Sequence, residues 1–219
     1  MLIKEHLDDL KGVWFTSDLH FSHKNILKYC PESRKFNSVE DMDLHLLDMW
    51  NSTVSKEDTV FFLGDLTLSF KVAQRVIPKL NGRYINLIPG NHDAWHPMNN
   101  EFEKYGNIVK DLNPNIILCK PRETLSIYDV KLLLCHFPWK NDDESSTDKH
   151  KRLRPQESKY EGHYLVHGHT HSTYEKRLTH NSVDVGYDAF QRMVPLKEIY
   201  ELARASKIDN DLGVKTNGT

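Results

Sequence analysis

The sequence lacks any apolar run long enough to cross a bilayer, and its mean hydropathy of −0.61 is that of a polar chain. The first twelve residues are charged and contain no apolar stretch of the kind that secretory signals carry. We therefore expect no membrane partner, no signal peptide and a cytoplasmic location.

The chain also lacks a net charge of any size. Its 29 Lys and Arg residues oppose 31 Asp and Glu residues, which gives a net charge of −2. A protein that binds duplex nucleic acid with high affinity needs a basic stripe on its surface, so this charge balance disfavours a high-affinity duplex binder.

Cysteine is scarce, with residues only at positions 30, 119 and 135. The count is odd and no C-x-x-C pair occurs, which argues against a disulfide framework and favours a reducing compartment with buried, inert thiols. Internal repeats are absent as well. At 219 residues we expect a single domain over residues 1–208, followed by a polar tail over 209–219.

Short apolar runs alternate with helical patterns in the first half of the chain. Their spacing predicts strands at 13–16, 59–63 and 84–88, and helices at 38–54 and 70–80. Ser38 is suited to cap the first of these helices, and Pro78 should shorten the second. This order predicts a parallel α/β sheet with right-handed crossovers.

The pattern changes after about residue 113. Strands are predicted at 116–118, 123–128, 131–135, 164–166 and 182–186, with a hairpin turn at 128–130 and a helix at 195–206. Residues 141–162 are highly charged and are predicted to form an exposed excursion or lid. His150, Lys151, Arg152 and Arg154 make this segment locally basic. Such a run can meet a phosphorylated substrate, although a solvated loop is its more common role.

Polar residues follow five of the predicted strands, and histidine, with 13 residues, is concentrated there. In α/β sheets ligands gather beyond the carboxyl ends of the strands. Each block alone also fits a polar turn or a helix cap, but five in succession predict a metal site. Carboxylate, imidazole and amide ligands without a thiolate suit Mn²⁺, Fe or Zn²⁺. The blocks are Asp18-Leu19-His20, Gly64-Asp65, Gly90-Asn91-His92-Asp93, His136 and Gly168-His169-Thr170-His171.

This series of blocks resembles the calcineurin-like metallophosphoesterases, and it spans Asp18 to His171. The segment 17–27 is similar to that of small bacterial and phage members. The resemblance implies an α/β fold, a four-layer αββα sandwich of mixed β-sheets flanked by helices. It also implies two divalent metal ions, with Mn²⁺ expected and Fe, Zn²⁺ or Ni²⁺ as alternatives.

The resemblance further implies a role for each matched residue. His92 would stand over the leaving group, and Asp93 would orient it and raise its pKa. His167 lies outside the pattern and is expected to pack or to support a ligand. The first metal would be held by Asp18, His20 and His171, the second by Asn91, His136 and His169, and Asp65 would bridge both.

Three further residues are candidates for binding substrate. His23 and Asn25 fall on the predicted first turn of a helix, where an anion can bind, although simple surface polarity explains them equally well. Arg34 lies in a loop that contains proline and serine, and either substrate binding or simple surface polarity explains it.

The function implied is that of a metal-dependent phosphoesterase, with phosphodiesters preferred and a metal-activated hydroxide as the nucleophile. Expected substrates are small phosphorylated molecules, including nucleotides and cyclic nucleotides. The alternatives are a nuclease, a nucleotide phosphohydrolase or a phosphomonoesterase. Outside the enzyme class, a catalytically silent scaffold of the same fold remains, but every matched position is filled here. The oligomeric state is not predicted.

Overall fold

Two mixed β-sheets form the centre of the protein in the computed structural model, which describes residues 2–3, 10–140, 150–179 and 181–211. The first sheet has the order β11-β2-β3-β4-β5, and the second has the order β1-β6-β7-β8-β10-β9. The strands are β1 (Leu2–Ile3), β2 (Val13–Thr16), β3 (Thr59–Phe62), β4 (Tyr84–Leu87), β5 (Ile116–Leu118), β6 (Arg122–Ile127), β7 (Val130–Cys135), β8 (His163–His167), β9 (Leu178–Thr179), β10 (Ser182–Asp184) and β11 (Val194–Pro195). The helices are α1 (Ile26–Tyr29), α2 (Val39–Thr53), α3 (Phe70–Val76), α4 (Phe102–Leu112), α5 (Tyr187–Phe190) and α6 (Leu196–Asp211).

β2, β3 and β4 are parallel, as the sequence predicts. β5 extends this sheet parallel to β4, which the sequence did not predict, and β11 joins it antiparallel to β2. Thr16 pairs with Phe62, and Phe62 pairs with Leu87. These three strands therefore end at the same level, and the polar blocks that follow them emerge at one edge.

The second sheet contains the predicted hairpin, with Ile127 paired to Val130 across the turn between β6 and β7. β7, β8 and β10 then run parallel to one another. His136 follows β7 and His167 ends β8, so the carboxyl ends of these strands also present their polar residues at one edge.

Alternation along the strands divides the apolar residues between two layers. Phe61 points into the core between the sheets, where its ring stacks on that of Phe15 at 5.1 Å. Val60 and Phe62 point to the other face, where they pack with Trp50 of α2. Helices thus flank the paired sheets, which confirms the predicted fold class.

The helices differ from prediction mainly at their ends. Ser38 caps α2 by accepting a hydrogen bond from the Asp41 N–H at 3.0 Å, and α3 stops before a 3-10 turn that contains Pro78. The sequence analysis missed α4, although its apolar residues recur at helical spacing. α6 runs three residues into the predicted tail, and residues 212–219 lie outside the described part. None of the described helices combines the length and apolar character that a membrane crossing needs.

The charged segment 141–162 is only partly described, because residues 141–149 lie outside the described ranges. Residues 150–162 form two short 3-10 turns and are fastened to the second sheet rather than projecting from it. The Lys140 N–H donates to the Pro155 carbonyl at 2.9 Å, and Arg122 Nη2 donates to the Leu153 carbonyl at 2.7 Å. Leu153 and Tyr160 pack on the apolar outer face of this sheet.

Candidate metal centre

The five polar blocks meet where the carboxyl ends of the two sheets face each other. The Asp18 N–H donates to the Gly64 carbonyl at 2.9 Å, and the Gly168 N–H donates to the His136 carbonyl at 3.0 Å. The His169 N–H donates to Asp18 Oδ2 at 2.8 Å and so joins the ends of both sheets. Residues separated by about 150 positions in the chain are therefore in direct contact.

Several of these residues have left-handed backbone conformations, which side chains other than glycine adopt rarely. Such conformations persist where the surrounding structure enforces them, and they concentrate at functional sites. Each one turns the chain sharply at a strand end, so that neighbouring side chains converge. The residues are Asp18 (φ 55°), His20 (φ 51°), Asp65 (φ 60°), His169 (φ 71°) and His171 (φ 47°).

The first cluster of ligating groups consists of Asp18, His20 and His171. One potential ligand atom from each lies within 4.8 Å of the others. The Nε2 atoms of His20 and His171 are 3.7 and 3.8 Å from Asp18 Oδ1. These are the three residues that the sequence analysis grouped around a first metal.

The second cluster consists of Asp65, His136 and His169, again with ligand atoms within 4.8 Å of one another. Asn91 joins it, because its Oδ1 is 3.2 Å from His136 Nε2. Asp65 Oδ2 lies 3.4 Å from His136 Nε2 and 3.7 Å from His20 Nε2. One carboxylate oxygen therefore faces both clusters.

The first cluster fits a divalent cation by its unsatisfied atoms. Asp18 Oδ1 and both ring nitrogens of His20 are buried without a hydrogen-bond partner. Leaving buried polar groups unpaired is unfavourable, by about 1–3 kcal/mol each. The nitrogen–oxygen separations of 3.7–3.8 Å are too long for hydrogen bonds, and a cation between these atoms would satisfy them together.

A third set of potential ligands, Cys30, His171 and Asp188, also lies within 4.8 Å. Asp188 is already engaged here, because its Oδ2 accepts from His171 Nδ1 at 2.7 Å. We therefore assign this set to the support of His171. All three cysteines are free, but only Cys135 is buried as predicted, whereas Cys30 and Cys119 are half-buried. Burial raises the pKa of Cys119 to about 12 and that of Cys135 to about 11, which disfavours the reactive thiolate.

Asp188 is a functional residue that sequence reasoning missed. A carboxylate that accepts the second ring N–H of a ligating histidine fixes its tautomer and orientation, and Asp188 does this for His171. It lies on the one-turn helix α5, in a stretch with no metal-binding motif. Its only signal in the sequence is an acidic residue shortly after the last polar block.

Arg34, predicted as a substrate contact, has another role. Its side chain has no exposed surface, and it binds Asp188 through Nε–Oδ1 at 2.9 Å and Nη2–Oδ2 at 3.0 Å. It also donates to the Asp18 carbonyl at 2.6 Å. Arg34 therefore holds the backbone of one candidate ligand and the hydrogen-bond partner of another, and its buried side chain is not placed to contact a substrate.

The expected pairing of Asp93 with His92 is wrong. Both carboxylate oxygens of Asp93 accept backbone N–H groups, from Asp65 at 2.9 Å, Leu66 at 3.0 Å and Gly90 at 2.8 Å. Asp93 is thus a fully buried brace between two polar blocks. Burial and the nearby charge of Asp65 raise the pKa of Asp93 to about 7, although the three N–H donors act to lower it.

His92 lies at the open side of the site, with 44% of its side chain exposed and its Nε2 3.9 Å from Asp65 Oδ2. Burial lowers the pKa of His92, and the neighbouring His20 and His136 oppose the attraction of Asp65. The direction of this pKa shift is therefore opposite to the rise expected from the sequence, and these surroundings favour the neutral imidazole.

His23 and Asn25 lie in a turn before α1 rather than on a helix. The His23 ring lies 5.5 Å from the His20 ring, and its Nδ1 is buried without a hydrogen-bond partner. Burial, reinforced by His20 and His92, lowers the pKa of His23 to about 4. His23 therefore remains next to the site as a neutral group, whereas Asn25 is exposed.

Tight backbone contacts hold the clusters in place. A Cβ atom at Gly90 would collide with Asp65, and one at Gly168 would collide with the side chains of Ser17 and Asp18. His167, which lies outside the family pattern, has its Nδ1 2.8 Å from the Gly168 carbonyl. This contact agrees with the supporting role expected for it.

Without a cation, carboxylates and charged histidines hold the centre together. Burial alone would lower the pKa of His136, but Asp65 and Asp18 raise it to about 9. Burial likewise opposes protonation of His171, yet the hydrogen bonds to Asp188 and Cys30 and the charge of Asp18 raise its pKa to about 11. Metal binding must displace these protons.

Two β-sheets that gather carboxylates and imidazoles at their strand ends form a candidate centre for divalent metals. The family model of the calcineurin-like phosphoesterase superfamily domain matches residues 13–185, and the chain belongs to this superfamily. It is accordingly a hydrolase of phosphoester bonds, and the superfamily generally works with divalent metals.

Two viral relatives match almost the whole chain. The Gene 66 protein of Mycobacterium phage L5 is 34% identical over 218 residues, which cover 94% of this chain and 100% of the relative. The Gene 66 protein of Mycobacterium phage D29 is 34% identical over 205 residues, which cover 88% and 96%. These names describe no activity, so the relatives add nothing about function.

A solved structure of a protein of unknown function from Aquifex aeolicus is similar in fold. It superposes with a TM-score of 0.63 at 23% identity and covers 87% of this chain and 98% of that one. At this identity the likeness supports the fold alone.

Proposed function

We propose that the protein is a binuclear-metal phosphodiesterase of the cytoplasm that acts on a small phosphorylated substrate such as a nucleotide or a cyclic nucleotide. The observation that carries the proposal is the position of Asp65 Oδ2, at 3.7 Å from His20 in one cluster and 3.4 Å from His136 in the other. A shared carboxylate between two ligand sets is the arrangement expected of a two-metal site.

The residues would divide between two ions. Nitrogen and oxygen ligands without a thiolate support Mn²⁺ as the expected metal, with Fe, Zn²⁺ and Ni²⁺ as alternatives. When bound, such ions stabilise negative charge on phosphoryl oxygens and lower the pKa of water. Asp18, His20 and His171 would hold one ion, Asn91, His136 and His169 the other, and Asp65 both.

His92 would act on the substrate directly. It is the most exposed of the clustered histidines, and its neutral ring carries one N–H that can donate to the departing oxygen. A neutral imidazole donor suits this place, because cations nearby would disfavour imidazolium further. The ring would keep its proton and donate a hydrogen bond that stabilises the charge developing on the departing oxygen, and one such donor contributes roughly 10²–10³-fold to a rate.

Asp93 would contribute by positioning. It accepts the N–H groups of Gly90 and Asp65. Gly90 lies just before His92 in the chain, and Asp65 carries the carboxylate that faces both clusters. The two blocks that supply the metal bridge and the proton donor are thereby held in fixed register.

A diester is preferred over a monoester because of charge. A monoester dianion needs an extra positive group beside the reacting phosphate. His23 and His92 have lowered pKa values, and Arg34 is buried against Asp188. None of these three residues supplies that charge, so a singly charged diester fits better.

The proposal is tested by hydrolysis of bis-p-nitrophenyl phosphate and p-nitrophenyl phosphate with Mn²⁺, in parallel with EDTA. We expect turnover of the diester to exceed that of the monoester, and EDTA to abolish both. Elemental analysis should find two metal ions per chain in the active protein. No hydrolysis of either ester, with or without EDTA, would favour the scaffold alternative. A single metal ion per chain would refute the role of Asp65 as a ligand shared by two ions.

A further inference from the structure

The turn that carries His169 and His171 has an unfavourable backbone conformation. Both residues lie in the left-handed region, with φ values of 71° and 47°. Residues other than glycine avoid this region because their Cβ crowds a backbone carbonyl oxygen. Groups outside the turn must therefore hold it in place. His169 belongs to one candidate ligand cluster and His171 to the other, so whatever holds this turn acts on both clusters.

The carboxylate of Asp184 fastens this turn. The hydroxyl of Thr170, between the two histidines, donates to Asp184 Oδ2 at 2.5 Å, and the Ser172 N–H donates to the same oxygen at 3.2 Å. The Ser172 hydroxyl lies 2.7 Å from that of Thr170 and donates to it, because the Thr170 proton is directed to Asp184. Asp184 is 1% exposed, so water competes little for these charge-assisted hydrogen bonds.

The position of Asp184 is fixed by the second sheet and not by the turn that it holds. Asp184 ends β10, where it pairs with His167 of β8, and its N–H donates to the Arg177 carbonyl at 2.8 Å. Its Oδ1 accepts the Gly186 N–H at 2.7 Å. A Cβ atom at Gly186 would lie 2.9 Å from this oxygen, so the backbone approaches the carboxylate closely. The turn is therefore anchored to a strand end.

The other left-handed parts of the centre are held by buried charged side chains in a similar way. Asp93 accepts the N–H of Asp65, and Arg34 donates to the carbonyl of Asp18. Both Asp65 and Asp18 have positive φ values. Asp184 gives the turn in the second sheet the same kind of support.

We propose that Asp184 is a positioning residue that acts through Thr170, fixes the directions of His169 and His171, and thereby sets the affinity for both metal ions. This inference rests on the proposed function for the assignment of the two histidines to two ions. It differs from the role of Asp188, which is hydrogen-bonded to His171 and supports one cluster.

The test compares Asp184→Asn with Asp58→Asn. An amide at position 184 would turn an NH₂ group toward one of the present N–H donors. Asp58 is a matched control because it accepts the Ser55 hydroxyl at 2.7 Å, the Ser55 N–H at 3.0 Å and Trp14 Nε1 at 2.9 Å. It precedes β3 and so lies at the other end of the strand from the centre. Calorimetric titration with Mn²⁺ measures metal affinity, and urea unfolding in EDTA measures stability.

We expect Asp184→Asn to weaken the binding of both ions by about 10-fold or more, as is typical when the support of a metal ligand is lost. Asp58→Asn should change both affinities by less than about 2-fold, even where its loss of stability is as large. Unchanged affinities in Asp184→Asn, weakening of a single ion, or equal weakening in the two variants would overturn the inference.

The route through Thr170 is tested separately. Thr170→Val removes the hydroxyl and keeps the branched shape, so it should weaken both ions, whereas Thr170→Ser keeps the hydroxyl and should recover most of the affinity. The double variant Thr170→Val/Asp184→Asn should bind metal no more weakly than Asp184→Asn alone, because groups in one hydrogen-bond network do not act additively. Losses that multiply in the double variant would overturn the route.

Amide hydrogen exchange in EDTA tests the restraint without metal. In Asp184→Asn the amides of residues 168–172 should exchange about 10-fold faster or more, whereas in Asp58→Asn they should stay within about 2-fold of the wild type. Unchanged exchange in Asp184→Asn would overturn the role of Asp184, whatever the metal content. Fewer than two ions on the wild type, together with a turn that Asp184→Asn loosens, would instead refute the two-metal proposal.

Discussion

Replacing Asp188 by asparagine should damage the protein in two separable ways. The buried Arg34 guanidinium would lose its counter-ion while the shape of the side chain is kept. Removing one member of a buried ion pair is destabilising by about 3–5 kcal/mol, because the remaining charge is left uncompensated. Arg34 now donates to both carboxylate oxygens, at 2.9 and 3.0 Å, and an amide offers only one acceptor. We therefore expect a loss of about 3–5 kcal/mol in the free energy of unfolding.

Urea unfolding in EDTA measures this loss without a contribution from metal. An Arg34→Met variant and the double variant complete a mutant cycle, in which we expect a coupling of about 2–3 kcal/mol because the side chains are in direct contact. The control is Glu198→Gln, which breaks an exposed ion pair with Arg192 whose Nη2–Oε2 distance is 2.8 Å. Exposed pairs contribute about 0.2–1 kcal/mol. A loss no larger than the control, or additive single losses, would refute the reasoning.

The second effect of the Asp188→Asn variant concerns the metal. His171 would lose the carboxylate at 2.7 Å from its Nδ1, and loss of such a partner typically weakens metal affinity about 10–100-fold. Calorimetric titration of the folded variant with Mn²⁺ should show one weakened ion and one near the wild-type affinity. Two unchanged affinities would mean that Asp188 serves the fold alone.

Three further variants or conditions address the centre itself. Asp65→Asn should lower the bound metal below two ions per chain and abolish turnover, and an unchanged stoichiometry by elemental analysis would contradict the shared carboxylate. His92→Ala should retain both ions and lose roughly 10²–10³-fold on esters with poor leaving groups, with a smaller loss on p-nitrophenyl esters; loss of an ion would show that His92 is a ligand. Metal affinity should fall as pH falls, because the pKa values of His136 (about 9) and His171 (about 11) keep both protonated at pH 7 and the ions must displace those protons. Titration with Mn²⁺ in buffers of different ionisation enthalpy should reveal this proton release, and heats independent of the buffer would refute it.

Much of the fold was predictable because it depends on local patterns. Apolar runs such as that at β3 alternate with helical spacing, and Ser38 carries the expected cap of α2. The same patterns locate the strand ends, and in a parallel sheet those ends share an edge. Asp18 and Asp65 could therefore be placed together from the chain alone. The helix α4 could have been found in the same way, from its apolar spacing.

The roles of Arg34, Asp93 and Asp188 were not predictable in this way. Whether a charged residue meets substrate, backbone or another charge depends on the partner that the fold brings to it. Asp93 lies beside His92 in the chain, yet its oxygens accept the N–H group of Gly90 in the same turn and those of Asp65 and Leu66 from a distant one. Asp188 follows the last polar block by 17 positions, and its partner Arg34 is 154 positions distant.

The sequence by itself determined the class of this protein and the positions of its candidate metal-binding side chains, because strand periodicity and the residues at strand ends are local properties. Only the tertiary structure decided which charges are buried in pairs and which remain exposed. Arg34 and Arg152 have the same side chain, but Arg34 is buried against Asp188 and Arg152 is exposed on the surface. Burial is a property of the folded molecule, and so is the set of partners that long-range contacts bring to a residue. These two properties give the two arginines different roles.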